Sequence, residues 1–364
     1  MEALFHVPEG YFLSHSVGCQ PRVISEALDR DYSGPWQSGT NWGDWMPMVA
    51  RYRAGIAGLL GAHAVSICPQ TNISSGLTKI IHSLPRRSGR DVIVLSKQDF
   101  PTVGFVLKLA ETAGYRLRFV DGEPSDADDW AAAIDAQTAV VHITHALSDS
   151  SHLLPVTDIC AMAKAAGALS IVDIAQSLIA VPTPVKTWDP DFVLGTGVKF
   201  LCAGPGACFL YAKPERIAEC RPIDVGWFSH ENPFEMDIMD FRYADDAMRF
   251  FGGTPSPAPL ICANAAMDVW TSLDLQEVQS RIQTHLDRLV DATPESWLVS
   301  PSDRQQRGGS YVVKPDNGQA LTDALKANGI QHDIRATGFR FSVHGYTPSA
   351  DVKKLAEIMR RHAT

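Results

Sequence analysis

The chain has 364 residues, 45% of them hydrophobic, which is enough to bury a large core and to divide into one large and one small domain. A net charge of -9 at pH 7 and a pI near 5.7 leave no basic stripe to meet phosphates. Nucleic acid and a membrane surface are therefore excluded as expected partners, and a small acidic metabolite, which needs only one local arginine, fits. The seven cysteines are odd in number, sit mostly in apolar runs and include no CxxC pair, so they read as reduced thiols of a cytoplasmic protein rather than a disulfide frame or zinc site. The opening MEALFHVPEGYF has neither a basic n-region nor a long apolar h-region, and no signal peptide is expected.

In chain order, β-branched runs at Val65 to Cys68, Val92 to Ser96, Leu117 to Asp121, Ala139 to Thr144, Leu169 to Asp173, Phe192 to Gly195 and Ala207 to Ala212 predict strands. Helical spacing of apolar residues lies between them at Ser74 to Leu84, Gly104 to Ala113 and Val156 to Ala166. Such alternation predicts an α/β fold with a mainly parallel sheet covered by helices, and ligands in such sheets bind beyond the carboxyl ends of the strands. Asp173 ends one strand, Phe100 and Thr102 follow another, and Thr71 and Asn72 follow a third. The uncharged run from Phe192 to Ala212 is long enough for a membrane span, but its glycines, its proline and its central Lys199 argue against one. After the Pro-Ser-Pro-Ala-Pro punctuation at Pro255 to Pro259, one long amphipathic stretch is predicted from Leu260 to about Ala292. Strands at Ser310 to Lys314, around Ile334 and at Arg340 to Val343, with helices at Gln319 to Asn328 and Ser349 to His362, complete a smaller C-terminal α/β unit. The expected boundaries are a large domain over 15–255 and a small domain over 256–364 joined by the N-terminal segment 1–14.

Lys199 is the only Lys, Arg, Asp or Glu between Phe192 and Ala212. An unpaired ammonium in apolar surroundings is costly unless paired or neutralised, and forming an imine is one way to neutralise it. A strand-borne lysine followed by a Gly-Pro-Gly turn suits a Schiff base with pyridoxal phosphate; a lysine snorkelling out of a buried strand is the alternative. Asp173 in IVDIAQS is placed to keep a pyridine nitrogen protonated, or else to cap the turn after its strand. Gln176, one helical turn on, is a donor for the ring hydroxyl. The PQTNISS loop, with Thr71, Asn72 and Ser74, opens onto a helix N-terminus and predicts a phosphate site, although capping residues explain the same pattern. Phe100 can stack on a ring or pack in the core. Arg340 in FRFSVHGY suits bidentate capture of an α-carboxylate, with Arg335 as its competitor. His142, His145 and His152 cluster in sequence, but strand spacing sends the first two to opposite faces, so no metal site is expected. Gly195, Gly197, Gly204 and Gly206 lack GxGxxG spacing, which disfavours the alternative of a nicotinamide-dependent dehydrogenase.

Several segments together resemble the class V aminotransferase superfamily and, within it, the kynureninases. They are YFLSHSVGCQPR, WGDWMPMVARYRAGIAGLLGA, DFPTV, VKFLCAGPGA, VGWFSH, RFFGGTPSPAPL and FRFSVHGYTPSADV, and they cover most of the chain. The resemblance implies the type I fold of pyridoxal phosphate enzymes, with a seven-stranded mainly parallel sheet in the large domain. It also implies Lys199 as the cofactor lysine, Asp173 at the ring nitrogen, Phe100 stacked, Thr71, Thr102 and Thr196 near the cofactor, and Arg340 on the substrate carboxylate. A homodimer with sites at the subunit interface is implied too, with Thr254 reaching the partner's phosphate and Trp42, Trp227, Phe228 and His230 on the substrate side. Departures from kynureninases fall at Val198 for a tyrosine, Gln176 for a histidine and Val103 for an acid. Gln176 is what aminotransferases and cysteine desulfurases of the class carry, while no cysteine follows Cys262 to serve a desulfurase. The expected activity is Schiff-base chemistry on an α-amino acid in the manner of a kynureninase. The alternatives are transamination with a 2-oxo acid or a non-catalytic relative.

Overall fold

The structure is a computed structural model and describes residues 1–363. Seven strands form the main sheet: β1 (Ile67–Gln70), β2 (Val92–Leu95), β3 (Arg116–Phe119), β4 (Thr138–Thr144), β5 (Leu169–Asp173), β6 (Phe192–Thr196) and β7 (Cys208–Ala212). Their order is β1-β7-β6-β5-β4-β2-β3, and β7 alone runs antiparallel to its neighbours. Strands such as VIVL and LSIVD are buried throughout because helices cover both faces, which is why they read as unbroken apolar runs. The edge strand β3 is instead polar, and Arg116 and Arg118 pair with Asp91 and Asp135 there.

The expected strands and helices recur within a few residues, with two informative differences. The stretch predicted as one helix from Leu260 to Ala292 is two, Pro257–Thr271 and Leu275–Val290. Asp274 lies between them and accepts the Gln276 N–H at 2.8 Å, so a local cap competes with continuation of the helix. The helix expected from Gly104 starts earlier, at Pro101, where proline's missing N–H costs nothing, and ends in a tighter turn over Ala110–Ala113. The Phe192 to Ala212 run is β6, a loop carrying Lys199, and β7; among the described residues no helix is long and apolar enough to cross a membrane.

A second, antiparallel sheet is built from β8 (Ser310–Val313), β9 (Asp333–Arg335) and β10 (Gly338–Ser342) in the order β8-β10-β9. Tyr11 and Leu13 bridge to Gln331 and Ser342, which ties the N-terminal segment to this layer. The segment then runs to the lysine loop, where the Gly18 N–H bonds the Val198 carbonyl at 2.8 Å. A Cβ on Gly18 would stand 2.1 Å from the Lys199 carbonyl oxygen, so only glycine permits that approach. On another side Trp270 of the Pro257–Thr271 helix donates its indole N–H to the Leu201 carbonyl at 2.8 Å. The lysine loop is thus held by separate parts of the chain on two sides.

Candidate active site

At the carboxyl ends of β4, β5 and β6 lies a cavity of about 310 Å³. Thr71, Asn72, Phe100, Thr102, Asp173, Gln176, Thr196 and Lys199 all line it. The Lys199 amine lies 5.6 Å from the centre of the Phe100 ring and, among the described residues, makes no hydrogen bond or ion pair. Burial lowers its pKa, Asp173 opposes that shift, and Arg340 and Arg335 add to it. The amine therefore gives up its proton more readily than a free lysine does, which favours nucleophilic chemistry.

Asp173 closes β5 and is 5% exposed. Its Oδ1 accepts the Ala175 N–H at 2.7 Å, so it does cap its turn, while the carboxylate also faces the cavity. Burial pushes its carboxyl up and outweighs the opposing pull of His142, the Ala175 N–H and Lys199. Gln176 donates to the His15 carbonyl at 3.2 Å, and its own Oε1 is buried without a partner. With Nε2 committed to that carbonyl, the free Oε1 can only accept, so Gln176 presents an acceptor for a ligand hydroxyl where a donor was expected.

The helix Ile73–Ser83 begins at the cavity. Asn72 was expected as a phosphate donor, but its Oδ1 caps this helix, accepting the Ser75 N–H at 2.8 Å and the Ser74 hydroxyl at 2.6 Å. Its Nδ2 donates to the Thr71 hydroxyl at 3.3 Å. The first-turn N–H groups of Ile73 and Ser74 are left to face an anion, with the positive end of the helix behind them. The Thr196 hydroxyl, which accepts from the Cys208 thiol at 3.1 Å, joins the wall further along. An amine, a buried carboxylate, an aromatic ring and a helix N-terminus thus surround one cavity, and this donor set fits pyridoxal phosphate.

Other residues are placed differently from expectation. Arg340 is 3% exposed and stands behind the cavity wall instead of in it. Its Nε and Nη2 donate to the two Asp333 oxygens at 2.9 and 2.6 Å, and its Nη1 to the carbonyl of the cavity-lining Ser148 at 2.6 Å. The fork expected to be open is filled along one edge by the chain's own carboxylate, which antiparallel pairing sets directly opposite on β9. Burial would raise the Asp333 carboxyl, but bonds from His15 and Arg340 outweigh it and hold it far below the usual range. The competitor Arg335 is half-exposed and reaches the same Asp333 at 3.3 Å. Trp42 and Trp227 meet edge to face at 5.7 Å, and neither they nor His230 line the lysine cavity of their own chain. The His230 ring is held by the backbone of Asn232 and Asp240, in the segment that follows it. Trp227 donates to the Thr254 hydroxyl at 3.2 Å, and Thr254 lies in an adjoining depression that shares Thr71 and Gly206 with the cavity. His142 bonds Asp99 while His145 packs edge-on to Trp188 at 4.6 Å. Sequence reasoning passed over Thr144, Ser148 and Cys208 as cavity residues; only the pairing of Thr144 with Asp173 across β4 and β5 reveals the first.

Known proteins agree with this architecture. A kynureninase from Deinococcus radiodurans is 29% identical over 355 residues, covering 93% of this chain and 85% of that protein. A cysteine desulfurase from Thermococcus onnurineus NA1 superimposes with a TM-score of 0.86 at 19% identity, covering 98% of this chain and 94% of the other. A variant of C-DES with glycine covalently linked to its pyridoxal phosphate cofactor gives the same TM-score and identity over 98% and 97% of the two chains. The family profile described as Aminotransferase class-V matches residues 37–355. The chain belongs to the class V aminotransferases, as a kynureninase-like enzyme that depends on pyridoxal phosphate.

Proposed function

We propose that the enzyme takes an α-amino acid with a sizeable side chain and cleaves that side chain, a reading supported by its similarity to proteins named kynureninase. The observation that carries this reading is the unpaired Lys199 amine in the same cavity as the buried Asp173 carboxylate, in a chain aligned to kynureninase over nine-tenths of its length. Bound pyridoxal phosphate supplies an electron sink for negative charge developing on the substrate. Lys199 would hold the cofactor through its amine and would move a proton at the substrate's Cα. Asp173 would keep the ring nitrogen protonated, Phe100 would cover the ring, Gln176 would meet the ring hydroxyl, and Thr71, Thr102, Thr196 and the Ile73 and Ser74 N–H groups would hold the phosphate and ring edge. Arg340, assigned to the substrate carboxylate from its FRFSVHGY segment, would act from behind the wall through the donors that Asp333 and Ser148 leave free.

A second reading, transamination with a 2-oxo acid, is favoured by Gln176 and by Val198, which offers hydrocarbon where kynureninases carry a tyrosine hydroxyl. We also infer a homodimer, because Trp227 and Thr254 stand outside their own cavity and the apolar Phe234, Met236, Ile238 and Met239 lie exposed beside them. In that dimer Thr254 reaches the partner's phosphate, and Trp42, Trp227 and His230 border the substrate. Its free thiols fit a cytoplasmic setting.

The purified protein is expected to absorb visible light, to lose that band on borohydride treatment and to carry the reduced adduct on Lys199. A colourless protein that takes up no pyridoxal phosphate overturns the reading. An amino-acid screen with and without pyruvate or 2-oxoglutarate decides between the two reactions, since turnover that requires a keto acid eliminates the side-chain hydrolase.

A further inference from the structure

Below the cavity, the face of the sheet that carries Asp173 holds two more ionisable side chains that the proposed reaction does not use. Thr144 on β4 pairs directly with Asp173 on β5, and His142, two residues earlier on β4, points to the same face. Asp99, from the turn after β2, fits against both. Its Oδ1 accepts the Thr144 hydroxyl at 2.5 Å, and its Oδ2 accepts the Ser96 N–H at 3.1 Å and the His142 Nδ1–H at 3.2 Å. The His142 side chain is 0% exposed and that of Asp99 2%. The other imidazole nitrogen, Nε2, is buried with no partner among the described residues.

Burying such a pair is costly, and apolar side chains of the same volume would fill this space at less expense in free energy. The arrangement therefore calls for a purpose. Burial alone would strip the proton from His142, yet Asp99 and, behind it, Asp173 outweigh burial and raise its proton affinity. In return His142 is, after burial, the largest influence on Asp173, and it limits the rise that burial imposes on that carboxyl. The charged groups that bear on Asp173 are His142, Lys199 across the cavity, and Asp99.

We propose that Asp99 and His142 are positioning residues for Asp173: a carboxylate–imidazole pair on the same face of the sheet that favours its ionised form, so that it can keep the ring nitrogen of pyridoxal phosphate protonated. This rests on the reading of Asp173 as the ring-nitrogen partner. Asp99 anchors the imidazole in one orientation through Nδ1, and with Nε2 unbonded among the described residues the imidazole acts on Asp173 through its charge, two residues along the same face of the sheet. A protonated imidazole between two carboxylates leaves one net negative charge in the stack, and the protonated pyridine balances it.

The test uses holoenzyme reconstituted with pyridoxal phosphate labelled with ¹⁵N in the ring. In the wild type the ring nitrogen is expected to be protonated, and Asp173→Asn is expected to lose that proton. Asp99→Asn and His142→Phe are expected to move the ring ¹⁵N signal toward the unprotonated position while the lysine-bound visible band persists. Loss of the proton in Asp173→Asn with retention in both other variants overturns the proposal alone. Retention in Asp173→Asn overturns the underlying reading of Asp173 and the proposal with it. Should the variants fail to fold, the ¹⁵N spectrum of His142 in the wild type decides: both ring nitrogens protonated supports the pair, and an unprotonated Nε2 overturns it.

Discussion

Replacing Arg340 by lysine keeps a positive charge and removes the fork, which makes it the sharpest probe of substrate recognition. A guanidinium has five N–H donors, and here three are committed, two to Asp333 and one to the Ser148 carbonyl. Two N–H donors remain, one on Nη1 and one on Nη2, and because Arg340 is buried behind the wall, a substrate carboxylate would reach them only past Ser148, whose carbonyl the Nη1 group already holds. A lysine ammonium cannot hold Asp333 and a substrate carboxylate at once in that geometry. Hydrogen bonds to charged groups contribute about 1.5 to 3 kcal/mol, so Arg340→Lys should weaken amino-acid binding roughly ten- to hundredfold. Cofactor uptake should survive, because Lys199, Asp173 and the helix N-terminus at Ile73 are untouched. The measurement is the amino-acid-induced change in the visible spectrum of the holoenzyme, compared between Arg340→Lys and Arg335→Lys. Arg335 is half-exposed and makes one long contact to Asp333, so its replacement should cost less than about 0.5 kcal/mol. If Arg335→Lys abolishes the response and Arg340→Lys leaves it intact, the assignment is wrong and Arg340 serves only to brace β9 against β10.

Three further outcomes follow from burial, packing and capping. Burial lowers the pKa of His15, His344 and His285 to about 4 and of His145 to about 3, all below the ordinary 6.5. Folding therefore favours the neutral imidazoles, and their contribution is complete above about pH 6.5 and is lost as pH falls toward 4, at about 1.4 kcal/mol for each tenfold loss of proton affinity in a fully buried ring. Melting temperature against pH should fall along that window, and His145→Gln should flatten the fall; an unchanged slope in that variant would mean that His145 contributes nothing to it. Gly18→Ala should destabilise by about 1 to 3 kcal/mol and weaken cofactor retention, read from denaturant midpoints and the visible band, because its Cβ would meet the Lys199 carbonyl at 2.1 Å. Asp274→Ala should cost about 1 kcal/mol in the same denaturation assay while leaving the visible band unchanged, since it removes only the cap of Leu275–Val290.

Much of this protein is legible in its sequence for a simple reason: parallel strands buried on both faces must be apolar runs, and residues that close them face the ligand. That rule brings out Lys199, Asp173, Phe100 and Thr71, each at or just beyond a strand end. It is blind to register. Thr144 becomes a cavity residue only because β4 pairs with β5 so that it stands opposite Asp173. The Asp99–His142 pair joins side chains 43 positions apart, and the sequence presents His142 merely as one of three neighbouring histidines. Arg340 is recognisable from its segment, but its engagement by Asp333 depends on the turn between β9 and β10. Trp42, Trp227 and His230 carry family segments, yet one chain does not bring them to its own cavity.

The lysine loop spans 197–207 and joins β6 to β7, two strands adjacent both in the chain and in the sheet. Every other pairing in that sheet joins strands separated by a longer stretch of chain, most of them parallel pairs linked by helical crossovers. Closing a short hairpin costs far less chain entropy than ordering those crossovers, and contacts near in sequence form sooner. The order of assembly is thereby built into the topology: Lys199 reaches its loop by local folding, while Asp173, Phe100 and Thr71 arrive only as the long connections close. In a refolding experiment, capture of the cofactor consequently reports the last of those connections to settle, and a chain that has formed only its lysine hairpin stays colourless.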